Sequence, residues 1–312
     1  MELSFDSIAS LVATAESEGR PLSALVLEQQ AAQLERSEAD VYETMHASYE
    51  VMRTAAAEGL KPGVRSASGL TGGDARRLHE HLQTNGSLIG GLLPQAMATA
   101  LAVSEWNAAM GRIVAAPTAG SCGILPGALL TMETARGVPQ RACVMSLFTA
   151  AAVGMVIAEN ASVSGAQGGC QAECGSASAM AAAALVELAG GTPAQTAHAV
   201  AIALKNILGL VCDPVAGLVE IPCEKRNASG VANAFAATEL ALAGVESAIP
   251  ADEVIDAMRR VGETMPPALR ETAEGGLAAT PTGRSLFAQV FGEKAPGGCA
   301  ACGACGKASA SS

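Results

Sequence analysis

Half of this chain is apolar, yet only 3% of it is aromatic, and that pairing constrains the fold more than any motif does. A core without Tyr, Phe and Trp has to be assembled from Ala, Leu, Val and Met. Side chains that small favour closely packed helices over a sheet rich in aromatic residues. No segment sustains strict apolar–polar alternation with β-branched residues. The reading is all-α: a multi-helix single domain over residues 1–293, then a Gly/Ala/Ser-rich tail over residues 294–312. At 312 residues the chain is long enough to bury a substantial core.

Charge narrows the function. A net charge of −11 argues against a nucleic-acid footprint and against an anionic membrane surface. It leaves room for an anionic substrate, because local Arg, Lys and helix N-termini can still hold a carboxylate. The opening residues, Met1 to Asp6, lack the basic start and apolar run of a signal peptide. The longest apolar stretch, Ala142 to Ala158, is short for a membrane span and rich in small residues; it is read as a buried core helix. Nine cysteines, an odd number in a chain not marked for secretion, fit free or metal-bound thiols in a reducing cytoplasm.

Helices are expected across the first sixty residues, with Leu22 to Leu60 the richest in helix formers. Further helices are expected over 93–110, 127–136, 142–158, 172–190, 194–210, 229–244 and 252–262. Between them run breaker-rich loops at 61–74, 116–127 and 162–169. Asp74 is placed to cap a helix carrying Arg76, Arg77, His79 and His81. Residues 66–74 and 117–123 can serve as anion cradles, since Gly allows close backbone approach and a helix start offers free N–H groups. Composition alone favours a plainer reading, in which both are helix-to-helix turns with N-caps.

The cysteines fall into three groups. Cys122, Cys143 and Cys174 lie among small residues and read as small hydrophobes. Cys299, Cys302 and Cys305 form a C-x2-C-x2-C run, on spacing alone the strongest metal signal in the chain. It lacks the fourth cysteine and the following Pro of a ferredoxin motif, and no large apolar residue stands nearby to shield a cluster. Cys170, Cys212 and Cys223 are 42 and 11 positions apart, distances that carry no motif. Their context is more telling: each stands at a loop–helix junction among polar groups that can support a metal ligand. Three thiolates suit a soft metal centre and leave one metal position open for chemistry.

Gly-Cys-Gln-Ala-Glu at 169–173, Leu-Gly-Leu-Val-Cys-Asp-Pro-Val-Ala-Gly-Leu-Val-Glu-Ile-Pro-Cys at 208–223 and Arg-Asn-Ala at 226–228 resemble the α chain of bacterial iron–sulfur L-serine dehydratase. Ser-Gly-Leu-Thr-Gly-Gly-Asp at 68–74 and Ala-Pro-Thr-Ala-Gly-Ser-Cys-Gly-Ile-Leu-Pro-Gly at 116–127 are similar to its two Gly-rich signatures. The motifs stand in family order, and the likeness covers roughly Ser4 to Val290. The resemblance implies a helical domain whose Gly-rich loops converge on a [4Fe–4S] cluster held by Cys170, Cys212 and Cys223. It implies deamination of L-serine to pyruvate and ammonia without pyridoxal phosphate. It also implies a separate serine dehydratase β chain as partner. The tail cysteines have no place in that pattern; Cys299, Cys302 or Cys305 could be a mobile fourth ligand that plugs the open iron.

On this reading the substrate contacts are Ser68, Gly69, Thr71, Gly72, Gly73 and Asp74 in the first loop, and Thr118, Gly120 and Ser121 in the second. Arg226, or its neighbour Lys225, adds charge for the carboxylate, Asn227 a hydrogen bond, and Glu173 an orienting carboxylate. No general base is assigned. His46, His79, His81 and His198 are the histidines, and each reads as structural. A pyridoxal-phosphate enzyme would need a Schiff-base lysine, for which Lys205 is the sole one in an apolar helix. Two other readings remain: the same centre acting on L-cysteine or L-threonine, and a non-catalytic protein binding metal through its tail.

Overall fold

Small side chains let the helices of this protein pack backbone against backbone. The computed structural model describes residues 5–292; Cys299, Cys302, Cys305 and the tail boundary at 293/294 lie outside them. Among the described residues there are thirteen α-helices and no strand: α1 Ile8–Glu18, α2 Leu22–Gln33, α3 Glu38–Gly59, α4 Asp74–Asn85, α5 Leu93–Ala108, α6 Ile124–Arg136, α7 Gln140–Asn160, α8 Gly165–Gly168, α9 Ser176–Leu188, α10 Pro193–Lys205, α11 Cys223–Leu242, α12 Ala251–Thr264 and α13 Pro281–Phe291. The all-α expectation holds.

The core is built as composition dictates. α9 runs Ser-Ala-Ser-Ala-Met-Ala-Ala-Ala-Ala-Leu-Val and is buried along all eleven of these residues. It is the central post, packed against α6, α7, α10 and α11. Close approach replaces bulk: a Cβ on Gly59 would come within 1.9 Å of Ala102 O, where α3 crosses α5. α7 is the one described helix long and apolar enough to cross a membrane, and 61% of its apolar window is buried inside the fold. It packs against α9 and α2, as expected of a core helix. All six described cysteines are free thiols.

The boundaries differ from expectation in instructive places. The run Leu22–Leu60 splits at Ser37, whose hydroxyl accepts from Asp40 N and starts α3. The helix expected from 229 starts six residues earlier, on Cys223 itself. Asp74 is not the cap of α4: that position is Gly73, with φ of 83°, and Asp74 stands in the first turn. The chain beyond 264, for which no element was predicted, makes short 3-10 turns and α13. It is joined to the loop before α11 by an isolated bridge between Cys212 and Arg270.

Candidate active site

Five carboxylates are the only buried charged residues among those described: Glu105, Glu173, Asp213, Glu220 and Glu224. Acids enter a core only when they are hydrogen-bonded or paired. All five are tied into the loops at 66–74, 118–123 and 211–224, so their gathering marks one site by its chemistry.

Cys170, Cys212 and Cys223 lie there too, each 8% exposed or less. Cys170 precedes a widened π-type turn, Gln171–Gly175, that runs straight into α9. α8 passes so close that a Cβ on Gly165 would lie 2.9 Å from Cys212 Sγ and 2.6 Å from Glu173 Oε2. Burial drives the Cys212 thiol far up, followed by the charges of Glu173 and Cys170. Burial likewise pushes Cys223 up to about 12, with the charge of Cys170 next. The Cys212 and Cys223 thiols both feel the charge of Cys170, so the three lie near one another. Cys170 goes the other way. A hydrogen bond with the Cys174 thiol, 3.5 Å away, holds it below the ordinary thiol value against the effect of burial, and Arg226 assists. A cavity of about 400 Å3 opens beside Cys174 and Arg226.

Around the thiols, Thr118 Oγ1 donates to Glu173 Oε1 at 2.7 Å, and Cys212 Sγ lies 3.6 Å from Glu173 Oε2. Burial raises the Glu173 carboxyl above its ordinary value in spite of that hydroxyl. A Cβ on Gly120 would lie 2.9 Å from the same carboxylate, and buried Ser121 sits 3.3 Å from the Thr118 hydroxyl. The structure therefore brings Thr118, Gly120, Ser121 and Glu173 together against Cys212. Arg226 is clamped: it donates to Val211 O at 2.9 Å and pairs with Asp213 Oδ1 at 2.8 Å. Burial weakens its hold on its proton, but the charges of Cys170 and Asp213 outweigh that and raise it. Asn227, fully buried, is a hub. It accepts from Gly123 N and donates to Gly120 O, Cys223 O and Ser104 Oγ, which ties the second Gly-rich loop to the start of α11.

The first Gly-rich loop meets a different set of acids. Ser68 Oγ donates to Glu220 at 2.8 Å, and Thr71 Oγ1 lies 2.6 Å from Glu224 and 3.1 Å from Glu220. Gly72 has φ of +131°, and a Cβ there would lie 2.5 Å from Val64 O. Gly69 N closes the turn on Ser66 O. The N–H groups of Gly73, Asp74 and Ala75, the expected anion cradle, are filled by the carboxylate of Glu105 at 2.7–3.1 Å. Asp74 instead pairs with Lys225 and Arg77. Asp74, Glu105 and Glu224 thus converge, with carboxylate oxygens within 4.8 Å of one another. Lys225, the α4 N–H groups and Thr71 already satisfy them.

Sequence reasoning gave no role to Glu105, Asp213, Glu220 or the 265–277 segment. Glu105 is the only charged residue in α5, and Asp213 and Glu220 are acids inside an otherwise apolar loop; those anomalies were the available signal. The 265–277 segment clasps Cys212 on both sides, through Cys212 N to Leu269 O at 2.9 Å and Glu271 N to Cys212 O at 2.8 Å. Of the residues in the competing readings, Lys205 is exposed and bonded to Ser247 Oγ, and His198 Nδ1 accepts from Ser247 N. His79 and His81 are exposed on α4, and His46 pairs with Glu43 and Glu50.

The fold and the site together define an all-helical protein whose Gly-rich loops gather buried thiols and acids at one centre. The family model described as serine dehydratase alpha chain matches residues 17–278, and the chain belongs to that family. It is 52% identical over 288 residues to the probable L-serine dehydratase, alpha chain, of Bacillus subtilis (strain 168), covering 92% of this chain and 96% of that one. To the L-serine dehydratase, alpha chain, of Peptoniphilus asaccharolyticus it is 48% identical over 262 residues, 84% of this chain and 90% of that one. The L-serine dehydratase of Streptomyces coelicolor is 40% identical over 281 residues, 86% of this chain but 59% of that protein's length.

Proposed function

We infer that this chain is the α chain of an iron–sulfur L-serine dehydratase, converting L-serine to pyruvate and ammonia with a separate β chain. The names of its relatives support the substrate. Near-complete alignment with the proteins named alpha chain, against partial alignment with the longer Streptomyces enzyme, supports a partner polypeptide. What supports the cofactor is that Cys170, Cys212 and Cys223, from three separate elements, are all buried and lie near enough to feel one another's charge. That donor set fits a [4Fe–4S] cluster: the ligands are soft and shielded by the core, and in binding iron each would give up its proton. Held by those three residues, the cluster would supply a Lewis acid for the serine hydroxyl.

The chain's own groups then do the positioning. Arg226, fixed by Asp213 and Val211 O, presents positive charge beside Cys170 for the substrate carboxylate. Glu173, steadied by Thr118, receives the ammonium group; Gly120 and Ser121 complete that wall. Ser68, Gly69, Thr71, Gly72, Gly73 and Asp74 form a second wall, in which Ser68 and Thr71 are anchored to Glu220 and Glu224, and Gly73 and Asp74 to Glu105, Lys225 and Arg77. Asn227 holds the second loop in register. Loss of the α-proton and the hydroxyl releases water and leaves aminoacrylate. Its imine tautomer takes up water to give pyruvate and ammonia. Cys299, Cys302 or Cys305 would provide a removable fourth ligand.

The test is preparation without oxygen, iron and sulfide analysis, and an assay of pyruvate release with and without the β chain. A brown protein that needs each of the three cysteines for both iron and turnover is expected. Colourless, iron-free material, or a Cys212→Ala variant with native turnover, overturns the reading.

A further inference from the structure

Two partly buried arginines here find a carboxylate: Arg53 pairs with Glu133 and Arg226 with Asp213. Arg270 does not. Its side chain has no hydrogen bond or ion pair with a described residue, and its Nε is buried without an acceptor. A half-buried guanidinium left in that state is costly unless something absent from the chain itself satisfies it.

Arg270 forms one wall of a cavity of about 350 Å3 between the 161–164 loop, α8 and α12. That volume lies within the range of small-molecule sites. Ala166, Ala172 and Met258 supply apolar lining, and Ser162 and Gln167 supply polar groups. Ser162 Oγ donates to Gln167 Oε1, which leaves the Gln167 amide N–H groups as donors. Arg259 and Glu263 of α12 also line the cavity, and they are engaged on their own helix: Arg259 pairs with Asp256 and Glu263, and Arg260 with Asp256. None of these acids forms an ion pair with Arg270. No cysteine and no residue of the 66–74 or 117–123 loops lines this cavity. α8 divides the two spaces, with Gly165 toward Cys212 and Ala166, Gln167 and Gly168 toward the cavity.

The geometry points to a second ligand site, for a small free carboxylate such as a keto, hydroxy or amino acid, with its carboxylate on Arg270 and separate from the thiol centre. A ligand there sits one residue from Leu269 and Glu271, the two positions whose backbone clasps Cys212.

The site does not depend on the proposed activity, and binding tests it directly. The full chain is titrated calorimetrically with acetate, pyruvate, succinate and inorganic phosphate. Saturable binding of a carboxylate at one per chain is expected, in the native chain and in Cys212→Ser alike. Arg270→Gln should weaken it about tenfold or more, the loss of one charge-assisted pair. Ala166→Leu, which fills the cavity and leaves the guanidinium intact, should do the same and guards against misfolding of the first variant. No saturable binding, binding that survives both substitutions, loss of binding in Cys212→Ser, or phosphate binding as tight as any carboxylate would each overturn the assignment.

Discussion

A single carboxylate decides where α4 begins. Helix starts leave backbone N–H groups without partners, and Glu105, 1% exposed, reaches from α5 to take three of them. Asp74, the natural capping type in the sequence, is thereby freed to pair with Lys225 on α11. Glu105→Gln keeps the shape but loses the charge and turns an N–H2 toward backbone donors; it should cost about 1–3 kcal/mol, read as a shift in urea midpoint. Glu105→Ala should cost more. A Gln variant as stable as the native chain would show that the cap contributes nothing. Asp74 gives a smaller, pH-dependent effect. Partial burial opposes ionisation, but the hydrogen bond and charge of Lys225 and the charge of Arg77 prevail and hold its carboxyl below the ordinary 3.8. A depressed folded-state value means stability that is present above the ordinary value and lost as the pH falls below it. Because the pair is partly exposed, Asp74→Asn should cost under about 1 kcal/mol at neutral pH. That difference should shrink below about pH 5 and vanish in strong acid, as paired urea titrations across pH would record. Glu105 is legible in the sequence as a charge out of place in an apolar helix; its partners, some thirty residues earlier in the chain, are not.

At the scale of elements, small residues serve as the mortar. The missing aromatics announced helices at close range, and α3 and α5 show how close. Gly59→Ala would raise helix propensity by about 1 kcal/mol in isolation. In the fold it would drive a Cβ to within 1.9 Å of the Ala102 carbonyl, with no flexible side chain to give way. Overpacking of about 1–3 kcal/mol or more wins, so the variant should melt lower than the native chain; an unchanged or higher melting temperature would mean that the helices separate freely. Core helices such as α7 and α9 were readable because long apolar runs leave few alternatives. The start of α11 was not. Glu224 to Asn227 look like a polar loop, and only their partners reveal a buried first turn: Thr71 for Glu224, Asp213 for Arg226, and Gly120 and Gly123 for Asn227. That first turn also holds Cys223, already named from the sequence; what the missed boundary hid is the buried Glu224 and its bond to Thr71.

For the molecule as a whole, the centre is closed by chain far from the motifs. The Gly-rich loops and cysteines carried enough local identity to be picked out as a candidate site. The 265–277 segment has no such signature, because its role rests on backbone bonds to Cys212 and on Leu277 N donating to Asp213 Oδ2 at 2.8 Å. Asp213 then holds Arg226, whose charge bears on Cys170. This chain of contacts runs from a surface segment to the thiol centre, and Gly276 is its weakest joint. Its φ is +56°, and a Cβ there would lie 2.4 Å from Asp213 Oδ2. Gly276→Ala should displace Asp213, loosen Arg226 and lower serine turnover about tenfold, equivalent to about 1.4 kcal/mol. Far from the helical core, it should move the urea midpoint less than Gly59→Ala does. Iron content of the anaerobically prepared variant separates two routes to that loss. On the proposed function, retained iron would mean that Arg226 has lost its grip on substrate, and lost iron that the clasp on Cys212 has opened. Native turnover with native iron content would show that the segment covers the centre without supporting it.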